Sequence, residues 1–343
     1  METTQGEIYF IREHEVGGFS PYTKIGLITY KNDRNSQSRI SEHQTGNPRE
    51  LSVFRYVPTF CVSAAETYMH RKYASLRFHG EWFQLSESQI LEAVDFCESL
   101  AKRFDGEKEV LDKADALRDI VSNGQISDSS EESQEWQREY LRADGLIKKF
   151  ESAVLPVKQL ILSIAESGGD VSGIADVQTR SVSNWDEPGF KGVYPDIWTQ
   201  FLIEKRNKRR FTVVRVKDVS HFTDNSLSEL IERASRLEEI LSDSTGCSVV
   251  PSGLKEAYLD LLPLGNQAKV DKEIAEAHLK VLCAENDGVQ SVCKWSRETV
   301  KEELDKKALK SNHPNEYAEF ESRGAPVKAV VLQKRIGSDI DGE

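Results

Sequence analysis

The tightest constraint this chain places on its own fold is the order of short elements in roughly its first hundred residues. Glu7–Arg12 (EIYFIR) and Thr23–Tyr30 (TKIGLITY) read as strands joined through a turn containing Gly17, Gly18 and Pro21, a hairpin. Ser36–Gln44 reads as a short polar helix that stops at Gly46, Asn47 and Pro48. Leu51–Val57 is strand-like, Ser63–Tyr73 is helical, and Glu81–Leu85 (EWFQL) is a further strand. The resulting ββαβαβ order defines a small α/β module.

Beyond it the pattern changes. Ser86 with Gln89 is a capping-box start for a helix towards Phe104, and helical spacing continues from Lys108 to Val121. Ser122–Glu135 (SNGQISDSSEESQE) has few apolar residues and reads as a solvated linker. Helices then dominate: Trp136–Glu151, Leu155–Glu166 with Pro156 in its first turn, Ser226–Leu241, Leu254–Leu262 and Lys269–Cys283. Arg210–Val216 and Val327–Leu332 are the strand-like exceptions. Displacing the chain by 119 residues brings Asp186 onto Asp305, Lys191 onto Lys310, Pro195 onto Pro314, Phe201 onto Phe320, Phe190 onto Leu309 and Trp198 onto Tyr317. A helix, turn, helix and strand thus recur at about 154–217 and about 269–334, by duplication or by a chance match among many offsets. The expected fold class is α+β: a small mixed sheet flanked by helices over 1–104, a helix and linker over 105–135, and mainly helical units over 136–222 and 223–343.

The 343 residues leave room for two or three domains, and 38% hydrophobic residues suffice for buried cores. No run of about 18 apolar residues exists, and METTQGEIYF has neither a basic nor an apolar leader region, so the expectation is a cytoplasmic chain without membrane contact. Five cysteines without a CxxC pair read as reduced thiols. The net charge of −12 argues against a protein that coats nucleic acid without specificity. Against that background Lys205, Arg206, Lys208, Arg209 and Arg210, with Arg215 and Lys217 beyond them, form a basic run that is either a nucleic-acid backbone contact or a solvated face. Phosphate-loop, HExxH, GxSxG and GxGxxG motifs are all missing, which leaves nucleotide hydrolysis, zinc proteolysis, serine hydrolysis and NAD chemistry without support.

The chemistry-bearing residues lie in the module: EIY ending at Tyr9, KIG ending at Gly26, a helix with Arg39 and His43, QTGNP from Gln44 to Pro48, AAETYMH from Ala64 to His70, and EWF at Glu81–Phe83. In this order they resemble the GIY-YIG nuclease superfamily over about residues 5–100, most closely its phage-associated branch often described as a bacteriophage DNA-binding domain. The resemblance implies a metal-dependent endonuclease that hydrolyses DNA phosphodiesters with one Mg²⁺ or Mn²⁺ ion. It implies that Tyr9 positions or deprotonates the attacking water, Arg39 contacts the phosphate and Glu66 holds the metal. Lys24 stands where the general pattern has tyrosine, as in the phage-associated branch, and would bind phosphate or take a proton; Glu7 stands where glycine is usual. Tyr22 sits near enough to serve as a displaced substitute for the missing tyrosine, and His70, one turn after Glu66, would orient the carboxylate or touch phosphate. A fixed guanidinium and a hard cation together stabilise the charge that develops on a phosphodiester in the transition state.

Each residue also has a plainer reading. Tyr9 would be a sheet aromatic, Arg39 a solvated charge, His43 a helper or surface residue, and Trp82 and Phe83 sheet core. Ser63 and Glu66 have capping-box spacing, which would tie Glu66 to its own helix start. Trp295–Phe320 is weakly similar to a segment of YqaJ-type phage recombination exonucleases, which implies a DNA-handling or oligomer-forming unit. The expected partner is DNA, with homo-oligomer formation open. The alternative function is a non-catalytic DNA-binding or regulatory protein on the same fold, followed by a protein-interaction scaffold.

Overall fold

Gly17 and Gly18, at φ 98° and 155°, allow β1 (Gly6–Glu15) to reverse tightly into β2 (Gly18–Thr29). This is a computed structural model, and it describes residues 4–30, 36–45, 47–207, 209–216, 225–244, 247–296 and 299–333. After α1 (Ser36–Gln44), β3 (Leu51–Thr59) pairs with β1; after α2 (Val62–Lys72), β4 (Arg77–His79) and β5 (Trp82–Gln84) extend the sheet beyond β2. The order β3-β1-β2-β5-β4 is antiparallel throughout, where a mixed sheet was expected, and β4 is an additional strand.

Alternation along β1 decides what each face does. Ile8 and Phe10, with Ile25, Phe83 and Leu85, pack under α2 and α3 (Glu87–Ala116) around Met69 and Phe104. Tyr9 and Ile11 face the other way, with Ile28, Leu51 and Ile40 of α1. Each large side chain so buried contributes about 1.5–3 kcal/mol. The Ser86–Gln89 capping box forms as expected. The Ser63–Glu66 box does not: α2 starts at Val62 after Cys61, and Ser63 already lies inside it, its carbonyl accepting from Thr67 Oγ1 at 2.9 Å.

The Ser122–Glu135 stretch is mostly exposed, as a solvated linker would be, but it carries regular elements. It supplies β6 (Ile126–Ser127), and the Ser130 hydroxyl accepts from the Ser133 amide at 3.1 Å to start α4 (Glu131–Glu166). There follow β7 (Ala175–Arg180), β8 (Ser183–Trp185), α5 (Glu187–Val193), α6 (Pro195–Gln200), β9 (Leu202–Asn207), β10 (Phe211–Val213), α7 (Asn225–Ser242) and α8 (Leu254–Cys283). The chain ends in β11 (Gly288–Val289), β12 (Cys293–Trp295), β13 (Thr299–Leu304), α9 (Lys306–Asn312), α10 (Pro314–Glu319), β14 (Glu321–Arg323) and β15 (Val327–Leu332). α4 and α8 each run straight through a proline, Pro156 and Pro263, where two shorter helices were expected. An unbroken apolar stripe of Phe150, Ala153, Val154, Val157 and Ile161 buries against α7 and α8. That burial outweighs the cost of about 3 kcal/mol for an internal proline.

α8 also joins the body to the N-terminal module. Ile274 enters the module's core, Tyr68 of α2 donates to Asp271, which Arg142 holds from the other side at 3.0 Å, and His278 meets Glu107 at 2.7 Å.

The two stretches related by 119 residues have matching backbones and face one another. Asp186 and Asp305 cap α5 and α9, accepting from the Gly189 and Ala308 amides at 3.0 and 2.9 Å. Their own amides donate to the Phe320 and Phe201 carbonyls, both at 2.9 Å. β8 pairs with β14 and β9 with β13, so Trp185 opposite Glu321 is mirrored by Leu304 opposite Leu202. The result is a head with an approximate twofold axis and its own core of Phe190, Trp198, Leu304, Leu309 and Tyr317. β7 with β15, and β10 with β12, carry it on two ribbons. Among the described residues no helix is long and apolar enough to cross a membrane. All five cysteines are free, only Cys247 being exposed.

Candidate active site

Gly26 pairs directly with Tyr9 across the β1–β2 ladder, and a methyl group at Gly26 would stand 2.5 Å from the Tyr9 hydroxyl. Glycine here lets the phenol lie flat across β2 with only 1% of its surface exposed. Charged groups surround it. His43 Nε2 lies 3.5 Å from the hydroxyl, Arg39 hydrogen-bonds to it from the same helix face, and Glu81 and Glu66 act on it electrostatically. Burial, then the Glu81 and Glu66 carboxylates, push the phenol's pKa well above its usual value against the opposing pull of Arg39. Tyr9 is therefore a protonated donor at neutral pH and a poor general base.

The cations of the site are each held by an acid. Lys24, opposite Ile11 and Trp82 in the sheet, meets Glu81 at 3.2 Å with both side chains 13% exposed. Arg39 meets Glu42 at 2.5 Å. Burial by itself would lower the Arg39 pKa, but the bonds to Glu42 and Tyr9 hold it raised. His43 is pushed down to about 4 by burial and by the neighbouring Lys24 and Arg39 charges, so its ring is neutral and only weakly basic.

Glu66 projects from the second turn of α2 and is buried. Among the described residues no three acidic, histidine or cysteine side chains form a metal-binding group. A divalent ion at Glu66 would complete its shell with waters and phosphate oxygens, the arrangement magnesium favours. The Glu66 carboxylate is the kind of hard oxygen donor such an ion takes.

Tyr9, Lys24, Arg39 and Glu66 are thus brought together around Gly26. Two other candidates stand apart. His70 is fully enclosed and donates from Nε2 to the Ile25 carbonyl at 2.8 Å, pinning the edge of β2 beside Gly26; burial pushes its pKa down to about 4. Tyr22 lies two residues along β2 from Lys24, its ring 4.6 Å from Phe78. The basic run scatters. Arg209 turns inward, donating to the Ala284 and Asn286 carbonyls and stacking 3.8 Å from the Trp295 ring centroid. Lys205 pairs with Glu303 at 2.7 Å, and Arg210 is exposed. Arg206 lies in β9, and Lys208, Lys217 and Gly46 lie outside the described residues.

Glu81 and Glu42 carry site geometry that reading the motifs missed. Glu81 sits inside the quoted EWF motif, directly before the Trp82 that pairs with Lys24, and that adjacency was the available signal. His43, whose sequence position fits a helper or a surface residue, faces Tyr9 because it lies one turn after Arg39. No curated protein and no solved structure matches the chain. Residues 6–98, the stretch that carries this site, match the family model described as the T5orf172 domain, a phage-associated domain of DNA-binding, nuclease-like context.

Proposed function

We propose that the module is a metal-dependent DNA endonuclease of the GIY-YIG type. The observation that carries this is the convergence of Arg39, His43, Glu81 and Glu66 on one buried tyrosine hydroxyl. A scissile phosphate displaces Glu81 from Lys24 and Glu42 from Arg39, so that two fixed cations meet its oxygens. The protonated Tyr9 hydroxyl and the neutral His43 ring orient the attacking water, whose proton passes to solvent as the P–O ester bond breaks and the leaving oxygen takes a proton from solvent. A Mg²⁺ ion held by Glu66 would supply charge neutralisation at the phosphate. His70 keeps β2, and with it Gly26 and Lys24, in register beneath these groups.

Supercoiled plasmid incubated with Mg²⁺ or Mn²⁺ should be nicked by the full chain and left intact by Glu66→Ala. Unchanged plasmid across metals and substrates refutes the enzyme. A second reading, a DNA-binding module without cleavage, is favoured by the carboxylates that already occupy Lys24 and Arg39. Equal DNA affinity in Glu66→Ala and parent, with no nicking by either, would establish it.

A further inference from the structure

Beside the candidate site, on the same face of the sheet, lies an aromatic cleft that the proposed phosphodiester chemistry does not use. Tyr22 and Lys24 alternate along β2, and their direct partners on β5 are Gln84 and Trp82. Trp82 packs into the small core that contains Tyr9 and Ile11, so it is a floor shared between the candidate site and the cleft. Phe78 of β4 stacks obliquely on Tyr22, ring centroids 4.6 Å apart, yet is 64% exposed. Most apolar rings of this size are buried, and one left in water beside a charged site is informative. His79, Glu13 and Arg49 complete a cleft of about 280 Å³.

The charges at the rim say what class of group the cleft takes. Glu13 holds Arg49 at 3.2 Å and accepts from Asn47 at 2.8 Å, and Glu15 holds Arg49 again at 2.7 Å. Two carboxylates on one guanidinium make this end unreceptive to a phosphate. An exposed Phe78 ring and the Trp82 floor, with Lys24 adjacent to neutralise a backbone phosphate next door, suit an uncharged planar ring. The cleft is slightly smaller than drug-sized pockets, which run about 300–1,000 Å³, and so matches a single ring system.

We propose that Tyr22, Phe78 and Trp82 form a stacking subsite for one unpaired nucleobase, adjoining the phosphate held at Lys24, so that the substrate is DNA with a single-stranded or extruded nucleotide. A base inside a duplex is stacked on its neighbours and cannot reach such a cleft unless it leaves the helix. Stacking on aromatics tolerates any base, because every base has a π-face, so the subsite selects for strand state and not for sequence. The inference deepens the DNA reading of the site and depends on it only through the neighbouring phosphate.

The test uses the full chain in EDTA, where no cutting occurs, and fluorescence anisotropy of a short labelled single strand against an abasic strand of equal length. The parent should prefer the base-bearing strand by roughly 5- to 100-fold, the range expected for one stacked base. Phe78→Ala should lose most of that preference and leave abasic affinity unchanged, whereas Phe78→Trp should keep it. Because Phe78 is largely exposed, its truncation removes no core, and an unchanged melting temperature checks this. Equal preference in parent and Phe78→Ala overturns the subsite, as does an equal loss on both strands, which would mark a phosphate contact. Absence of binding to either strand overturns it together with the DNA reading. Plasmid nicking with no effect of Phe78→Ala leaves the endonuclease standing without the subsite; base preference without nicking leaves the subsite standing without the endonuclease.

Discussion

Gly26→Ala is the sharpest perturbation the site offers, because the new methyl has nowhere to go. It would stand 2.5 Å from the Tyr9 hydroxyl, 2.7 Å from Cζ and 3.0 Å from Cε2. Ordinary carbon contacts sit at about 3.5–4.0 Å, so the ring must move by roughly 1 Å. The backbone cannot give, since Tyr9 and Gly26 face each other across the β1–β2 ladder and Tyr9 is paired on its other side with Tyr56 of β3. The ring cannot swing out, since Arg39, His43 and the Ile40 helix cover it. Overpacking of this kind costs about 1–3 kcal/mol, offset in part by the roughly 0.4–1 kcal/mol that alanine gains from a less free unfolded chain. The expected outcome is a loss of about 1–2 kcal/mol, read as a lower urea midpoint by circular dichroism with unchanged slope. Tyr9→Ala removes the clashing ring, so in the double variant the cost of Gly26→Ala should vanish, a coupling within the range of about 0.5–3 kcal/mol seen for touching residues. A Gly26→Ala protein with the parent's midpoint, or additive costs in the double variant, would refute the packing of Tyr9 on glycine.

Other consequences are equally open to measurement. Pro156 is exposed inside α4, so Pro156→Ala restores one backbone hydrogen bond and should raise the thermal midpoint by an amount equivalent to about 1–3 kcal/mol. Arg209→Ala strips buried carbonyls of their donor and uncovers Trp295, so it should lower stability by about 1–3 kcal/mol while leaving the slope of log DNA affinity against log salt unchanged; a flatter slope would return Arg209 to the nucleic-acid surface. His70 has its folded pKa depressed to about 4 from an unfolded value near 6.5, so the unfolded chain binds the extra proton first. Its contribution is complete above the unfolded value and is lost as pH falls towards the folded one, about 3 kcal/mol in all. His70→Gln keeps a donor for the Ile25 carbonyl and should flatten the decline in urea midpoint between pH 6.5 and 4; an unaltered decline would show that His70 is not its source.

The features legible beforehand were those set by local chemistry. Ser36–Gln44 ends just before the Gly46, Asn47 and Pro48 stop signal, Ser86 and Gln89 cap α3, and Val327–Leu332 is a strand by β-branched content. The site was legible where motif residues sit on regular elements: Tyr9 and Lys24 alternate correctly on paired strands, and Arg39 with His43 is one helical turn. What could not be read was imposed from a distance. A proline breaks a helix in isolation, but Pro156 and Pro263 lie within helices whose apolar stripes are buried by other helices, a burial invisible in one dimension. Ser122–Glu135 has a linker's composition and becomes ordered because Ile126 and Ser127 pair with Gly288 and Val289, more than 150 residues away.

The same reasoning explains why charge was the least reliable guide. A run of seven basic residues looked like a surface, yet Arg209, in the connection between β9 and β10, turns inward to the Ala284 and Asn286 carbonyls and the Trp295 ring. Conversely, Glu81 belongs to no run and has no periodicity, and it matters because β2 and β5 pair over only three residues, which places its carboxylate on Lys24. Side chains that meet across paired strands carry no local signal of their meeting. The residues that decide whether a phosphate can settle here are therefore the acids it must displace, Glu81 and Glu42, as much as the cations it would bind.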